Sequence, residues 1–95
     1  MVIRIADILP GANTADQGSR LFEILHHALR DSGTVTISFD GIQTATSSFV
    51  NVAFVALLDD FSYEDLRSRI RVTNSTRQIN DMIKTRLERS RSIAA

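Results

Sequence analysis

The side chains best placed for chemistry in this sequence are hydroxyls. Thr44, Thr46, Ser47 and Ser48 crowd together immediately before a largely apolar run, residues 49–58, with the composition of a buried helix. Hydroxyls at a helix start have two uses. Thr46 or Ser47 can cap the helix by accepting from a first-turn N–H group that has no intrahelical partner. A hydroxyl not spent on capping, as expected for Ser48, lies near the positive end of the helix dipole, where a phosphate or an acidic partner group is tolerated. Nucleophilic use needs an adjacent base. No His or Lys is predicted near Ser48, so enzymatic chemistry is not expected.

Other chemical groupings are sparse. His26 and His27 are adjacent, so on a helix their side chains diverge by about 100° and cannot close one metal site. His27 is expected in solvent and His26 beside the core. Asp59 and Asp60 follow the apolar run and are read as solvating its end. Gly11, Gly18, Gly33 and Gly41 stand singly, so no phosphate-cradling loop is present. Neither a metal nor a cofactor is expected.

The arginines are unevenly placed. The formal net charge is +0, yet residues 1–66 carry Arg4, Arg20 and Arg30 against nine acids, a net of −6. From Arg67 onward seven Arg and Lys84 face only Asp81 and Glu88, a net of +6. Such asymmetry suits an interaction surface or attraction between two halves of one fold. Nucleic-acid binding through the arginine-rich last third is the alternative function, disfavoured by the neutral total, a single Tyr and the lack of Trp for base stacking.

These groups must be positioned by a chain of 95 residues, enough for one domain spanning 1–95, with 90–95 expected to fray. Residues 2–9 open as a strand, with Ile3 and Ile5 on one side and Arg4 on the other. A helix follows from an N-cap at Asp16, with Leu21, Phe22, Leu25, Ala28 and Leu29 on its inner face, and stops at Gly33. Residues 34–40 alternate cleanly, Val35, Ile37 and Phe39 against Thr34, Thr36 and Ser38. The helix of about 47–58, apolar on most sides, is expected on the Val35–Ile37–Phe39 face of that strand. Residues 69–73 form a third strand, and a last helix turns Ile79, Met82, Ile83 and Leu87 inward. Strands alternating with helices imply an α/β fold, β-α-β-α-β-α, with a mixed or parallel sheet of three to four strands. Because each strand is apolar on one face only, the helices should lie mainly on one side. The open side should display Arg4, Arg69 and Arg71, a candidate charged interface, beside Thr34, Thr36 and Ser38.

The stretch Val35-Thr36-Ile37-Ser38-Phe39-Asp40-Gly41-Ile42-Gln43-Thr44-Ala45-Thr46-Ser47-Ser48-Phe49-Val50 resembles the STAS-like family of small bacterial proteins. Its marks are an apolar strand ending in Phe-Asp, a Gly and an aliphatic residue, then paired serines, Phe and a mostly apolar helix. The order of elements on both sides agrees. The family is similar, at a greater distance, to anti-sigma-factor antagonists, whose turn reads Asp-Ser-Ser-Gly and carries a phosphorylatable serine. In that resemblance Ser48 stands at the phosphorylated position, while Thr46 replaces the acid and Phe49 the glycine.

What the resemblance implies is a regulatory, non-enzymatic protein-interaction module. Its partner would be a protein such as an anti-sigma-like kinase or a related ATPase, met through Thr46, Ser47, Ser48 and Asp40. The absence of cysteine fits a reducing cytoplasm. A charge at Arg4 and a longest apolar run of only residues 52–58 argue against secretion or membrane insertion. Monomer and homodimer both remain compatible with the sequence.

Overall fold

The computed structural model describes residues 1–31 and 33–94, with side chains through residue 90. The chain runs β1 (Val2–Arg4), α1 (Ile5–Ile8), α2 (Ala15–Arg30), β2 (Val35–Ser38), α3 (Ser47–Ala53), a 3₁₀ segment (Val55–Asp59), α4 (Tyr63–Arg69), β3 (Ile70–Thr73) and α5 (Arg77–Ala94). The strands form one parallel sheet in the order β1-β2-β3. This is the α/β arrangement implied by the sequence, at the smaller strand number.

Register places every side chain on its face. Ile3, Ile37 and Val72 share one row and Val35 and Ile70 the next, all directed toward the helices. Val2, Thr36 and Arg71 form a row on the other face, followed by Arg4, Ser38 and Thr73. Of these, Val2, Arg4, Arg71 and Thr73 are exposed, so the helical layer covers one side of the sheet. Ser38 departs from the expectation of an open-face residue. It is only 7% exposed, because Asn74 Nδ2 (3.0 Å) and the Asp40 N–H (3.3 Å) both donate to its hydroxyl.

Several elements differ from the sequence reading. β1 ends at Arg4, and Ile5–Ile8 coil into a helical turn that buries Ile5 completely. The N-cap of α2 is Thr14, not Asp16. Thr14 Oγ1 accepts from Gln17 N at 3.1 Å while Gln17 Oε1 accepts from Thr14 N at 3.1 Å, a capping box that leaves Asp16 in the first turn, where its charge suits the dipole. The helix of about 47–58 is two pieces. After Ala53 the backbone tightens into the 3₁₀ segment, whose i, i+3 repeat stacks Phe54 over Leu57, both fully buried. α3 packs chiefly along α2 rather than on β2. Gly18 permits this approach: a Cβ there would lie 2.7 Å from the carbonyl oxygen of Phe49.

An unforeseen helix, α4, fills residues 63–69. Ser62 caps it by accepting from Asp65 N at 3.1 Å, Glu64 and Asp65 occupy its first turn, and Arg67 and Arg69 its last. Each charge complements the helix dipole. Arg69 therefore ends a helix, and β3 starts one residue later than expected. α5 extends through Ala94, and the expected fraying of 90–95 falls almost wholly on side chains outside the described residues, as does Ala95 itself. No described helix is long and apolar enough to cross a membrane.

Candidate interaction site at the carboxyl end of the sheet

In a parallel sheet every strand delivers its following loop to the same end, which is where open α/β folds place their ligands. Here three such loops, after β1, β2 and β3, are stitched together. Thr46 is the central stitch. Its N–H donates to Ala12 O at 3.0 Å and its Oγ1 to Asn13 O at 3.0 Å, joining the first loop to the second. The same Oγ1 accepts from Phe49 N at 3.2 Å and so caps α3. On the other side Gln78 of α5 brackets Ala45, accepting from its N–H at 3.3 Å and donating to its carbonyl at 3.2 Å. Thr76 Oγ1 also donates to Gln43 O at 3.2 Å.

The turn into this site is set by Gly41. Ile42 N donates to Phe39 O at 2.8 Å, and Gly41 holds φ +86, the left-handed value that the third residue of such a turn favours and a side chain resists. Asp40 is left at the turn's second position, exposed. Its carboxylate accepts from Arg4 Nη2 at 3.3 Å while Arg4 Nη1 donates to Asp7 at 2.6 Å. The Arg4 pKa is raised, first by the hydrogen bond and charge of Asp7 and less by those of Asp40. The guanidinium thus bridges the first and second loops as a fixed cation.

The four residues singled out at the turn are consequently not equivalent. Thr46 is consumed by four hydrogen bonds, two through its hydroxyl and two through its backbone, and Asp40 is tied to Arg4. Ser48 is exposed and Ser47 half-buried, and among the described residues neither hydroxyl has a hydrogen-bond partner. Phe49, next in sequence, points the other way and is fully buried. A polar turn, braced by hydrogen bonds to its neighbouring loops and carrying two unspent hydroxyls, is what the fold presents at this end.

The charged-interface residues also divide. Arg4 and Arg71 lie on the open face of the sheet, Arg71 exposed beside Thr36. Arg69 does not join them. Its Nε donates to Gly33 O at 3.0 Å, Nη1 to Asp65 at 3.0 Å and Nη2 to Leu29 O, closing the carboxyl end of α2. The reason is local: as the last residue of α4, Arg69 follows Asp65 by one helical turn rather than following strand alternation. His26 lies between Phe22 and Phe61, with Nε2 2.9 Å from Asp60, whereas His27 extends into solvent toward Asp31. Asp60 thus has a defined partner, which reading it as a solvated helix end did not foresee.

A family model described as a STAS-like domain of unknown function matches residues 17–80, well over half of the chain. No curated protein and no solved structure matches it. The matched stretch contains α2 from Gln17 onward, β2, the whole turn through Ser48, α3, α4 and β3.

Proposed function

The chain belongs to the family of STAS-like domains of unknown function, and we propose that it works as a non-enzymatic interaction module, receiving a partner protein at the carboxyl end of its sheet. One observation carries this reading: capping and loop stitching are discharged by Thr46, which leaves Ser48 outward on a braced turn without a structural task among the described residues. A hydroxyl in that position can donate to and accept from a partner, or carry a phosphate at the positive end of a helix. The distant likeness to anti-sigma-factor antagonists supports an anti-sigma-like kinase or a related ATPase as the class of partner.

The test uses wild type and Ser48→Glu as paired baits in the source cell, followed by titration of the purified partner against both. Ser48→Glu keeps the fold, because a carboxylate is tolerated at a helix N-terminus. Its affinity for the partner should fall at least about tenfold, since the interface would have to desolvate a charge it was not shaped for. Equal affinity in a verified folded variant would remove Ser48 from the interface.

A further inference from the structure

The helical layer reaches unevenly across the sheet. Val35 and Ile70 share one inward row, and Ile3, Ile37 and Val72 another. On β1 and β2 these side chains are buried, but Ile70 and Val72 on edge strand β3 are only half-buried. Over them, between α4 and α5, lies a cleft of about 780 Å³. Leu66 and Leu87 flank Ile70 and Val72 on its floor, and Arg67, Asn80 and Lys84 stand on its rim.

Size, floor and rim together define an occupant. The volume lies within the range of about 300–1,000 Å³ typical of small-molecule sites. Water against Ile70, Val72 and Leu87 is unfavourable, so an apolar body gains by displacing it. Polar specificity comes from the rim. Tyr63 and Glu88, which also line the cleft, have interactions of their own. Arg67 and Lys84 are exposed and make no salt bridge with a described residue. Asn80 Oδ1 already accepts from Ser75 Oγ at 2.6 Å, so its NH₂ is what it can offer. The rim thus sets two cations without a salt bridge to a described residue and a donor against the one carboxylate of Glu88, an excess of positive charge.

We propose that this cleft binds a small amphiphilic anion, an apolar chain or ring ending in a carboxylate. The apolar body lies on Ile70, Val72 and Leu87, and the carboxylate meets Arg67 and Lys84. The cleft shares no residue with the turn at Thr46–Ser48, so it is independent of the partner-binding reading.

Dodecanoate, below its micellar range, is the probe, titrated into the ¹⁵N-labelled chain by NMR and calorimetry. Dodecyltrimethylammonium serves as the matched cation. Saturable one-to-one binding is expected, with shift changes concentrated at residues 66–72 and 80–87. The cation should bind at least about tenfold more weakly, and the exposed pair Arg67→Gln with Lys84→Gln should weaken dodecanoate by about tenfold or more without lowering Tm. Equal binding of the cation, undiminished binding by the double variant, or shifts mapping elsewhere would overturn the proposal. So would failure of dodecanoate to bind while the chain self-associates through these residues, which would make the cleft a protein interface instead.

Discussion

Replacing Gly18 by alanine sets two contributions against each other. Within a helix the exchange ordinarily stabilises by about 0.8–1.0 kcal/mol, because glycine loses the most backbone freedom on folding. At Gly18 the added Cβ would lie 2.7 Å from Phe49 O, 3.1 Å from Val52 Cβ and 3.3 Å from Phe49 Cα. A carbonyl oxygen and a Cα cannot rotate aside. The start of α3 is itself held by Thr46 on Ala12 and Asn13, so relief requires α2 and α3 to separate. Overpacking costs about 1–3 kcal/mol, and a backbone obstacle places this case near about 3. Against the propensity gain, the net loss is about 2 kcal/mol. For a domain of this size that corresponds to a Tm lower by about 8–16 °C. Thermal and urea unfolding followed by circular dichroism measure it, with Ser19→Ala on the exposed side of the same turn as a control expected within about 0.5 kcal/mol. A Gly18→Ala protein as stable as wild type would refute the close-approach argument.

Other substitutions follow from the same frame. Phe54→Ala should cost about 3–5 kcal/mol, because the ring is fully buried at the junction of α3 and the 3₁₀ segment, and an unchanged urea midpoint would contradict that placement. Thr46→Ala should cost about 1–2 kcal/mol, losing both a cap and the stitch to Asn13, whereas Ser48→Ala should stay within about 0.5 kcal/mol; reversal of that order in denaturant titration would exchange their roles. Arg69→Ala should destabilise by about 1–3 kcal/mol through loss of its bonds to Leu29, Gly33 and Asp65, while Arg71→Ala leaves the melting curve unmoved; equal effects would return Arg69 to the open face.

The parts of this fold legible in sequence are those with a strong period or a strong cap. β2 alternates without exception from Val35 to Ser38, and both its neighbours pair with it in the expected parallel sense. Thr46 stands in the hydroxyl cluster just before the apolar run and caps α3. α4 lacked such a period, since only Leu66 among its seven residues is buried. Its signals were chemical: Ser62 three residues before Asp65, acids first and arginines last. The same segment misled at its end, where Arg69-Ile70-Arg71-Val72 imitates a strand although Arg69 is already paired with Asp65 one turn back. Thr14 and Gln17 spell a capping box that outweighs the acid of Asp16 between them. What no local pattern could supply is the stitching of the loops, because Thr46–Asn13 and Ala45–Gln78 each join residues 33 apart.

That stitching also bears on Phe49, the position at which the turn departs most from the Asp-Ser-Ser-Gly pattern that it distantly resembles. Glycine there would allow another backbone to come close. In this chain Phe49 fills the core instead, and the close approach is transferred to the opposite helix, where Gly18 faces Phe49 O. Adjacent helical positions diverge by about 100°, so sending the Phe49 ring inward leaves Ser48 on the outer surface. The bulky residue therefore does not obstruct the turn. It anchors the inner side of the same helical turn whose outer side carries the unspent hydroxyl, while Thr46 fixes that turn to the neighbouring loop. A partner meeting Ser48 would find a surface already ordered, with little further loss of conformational freedom on binding. Rigidity of the turn and accessibility of Ser48 thus have a common origin in the inward packing of Phe49.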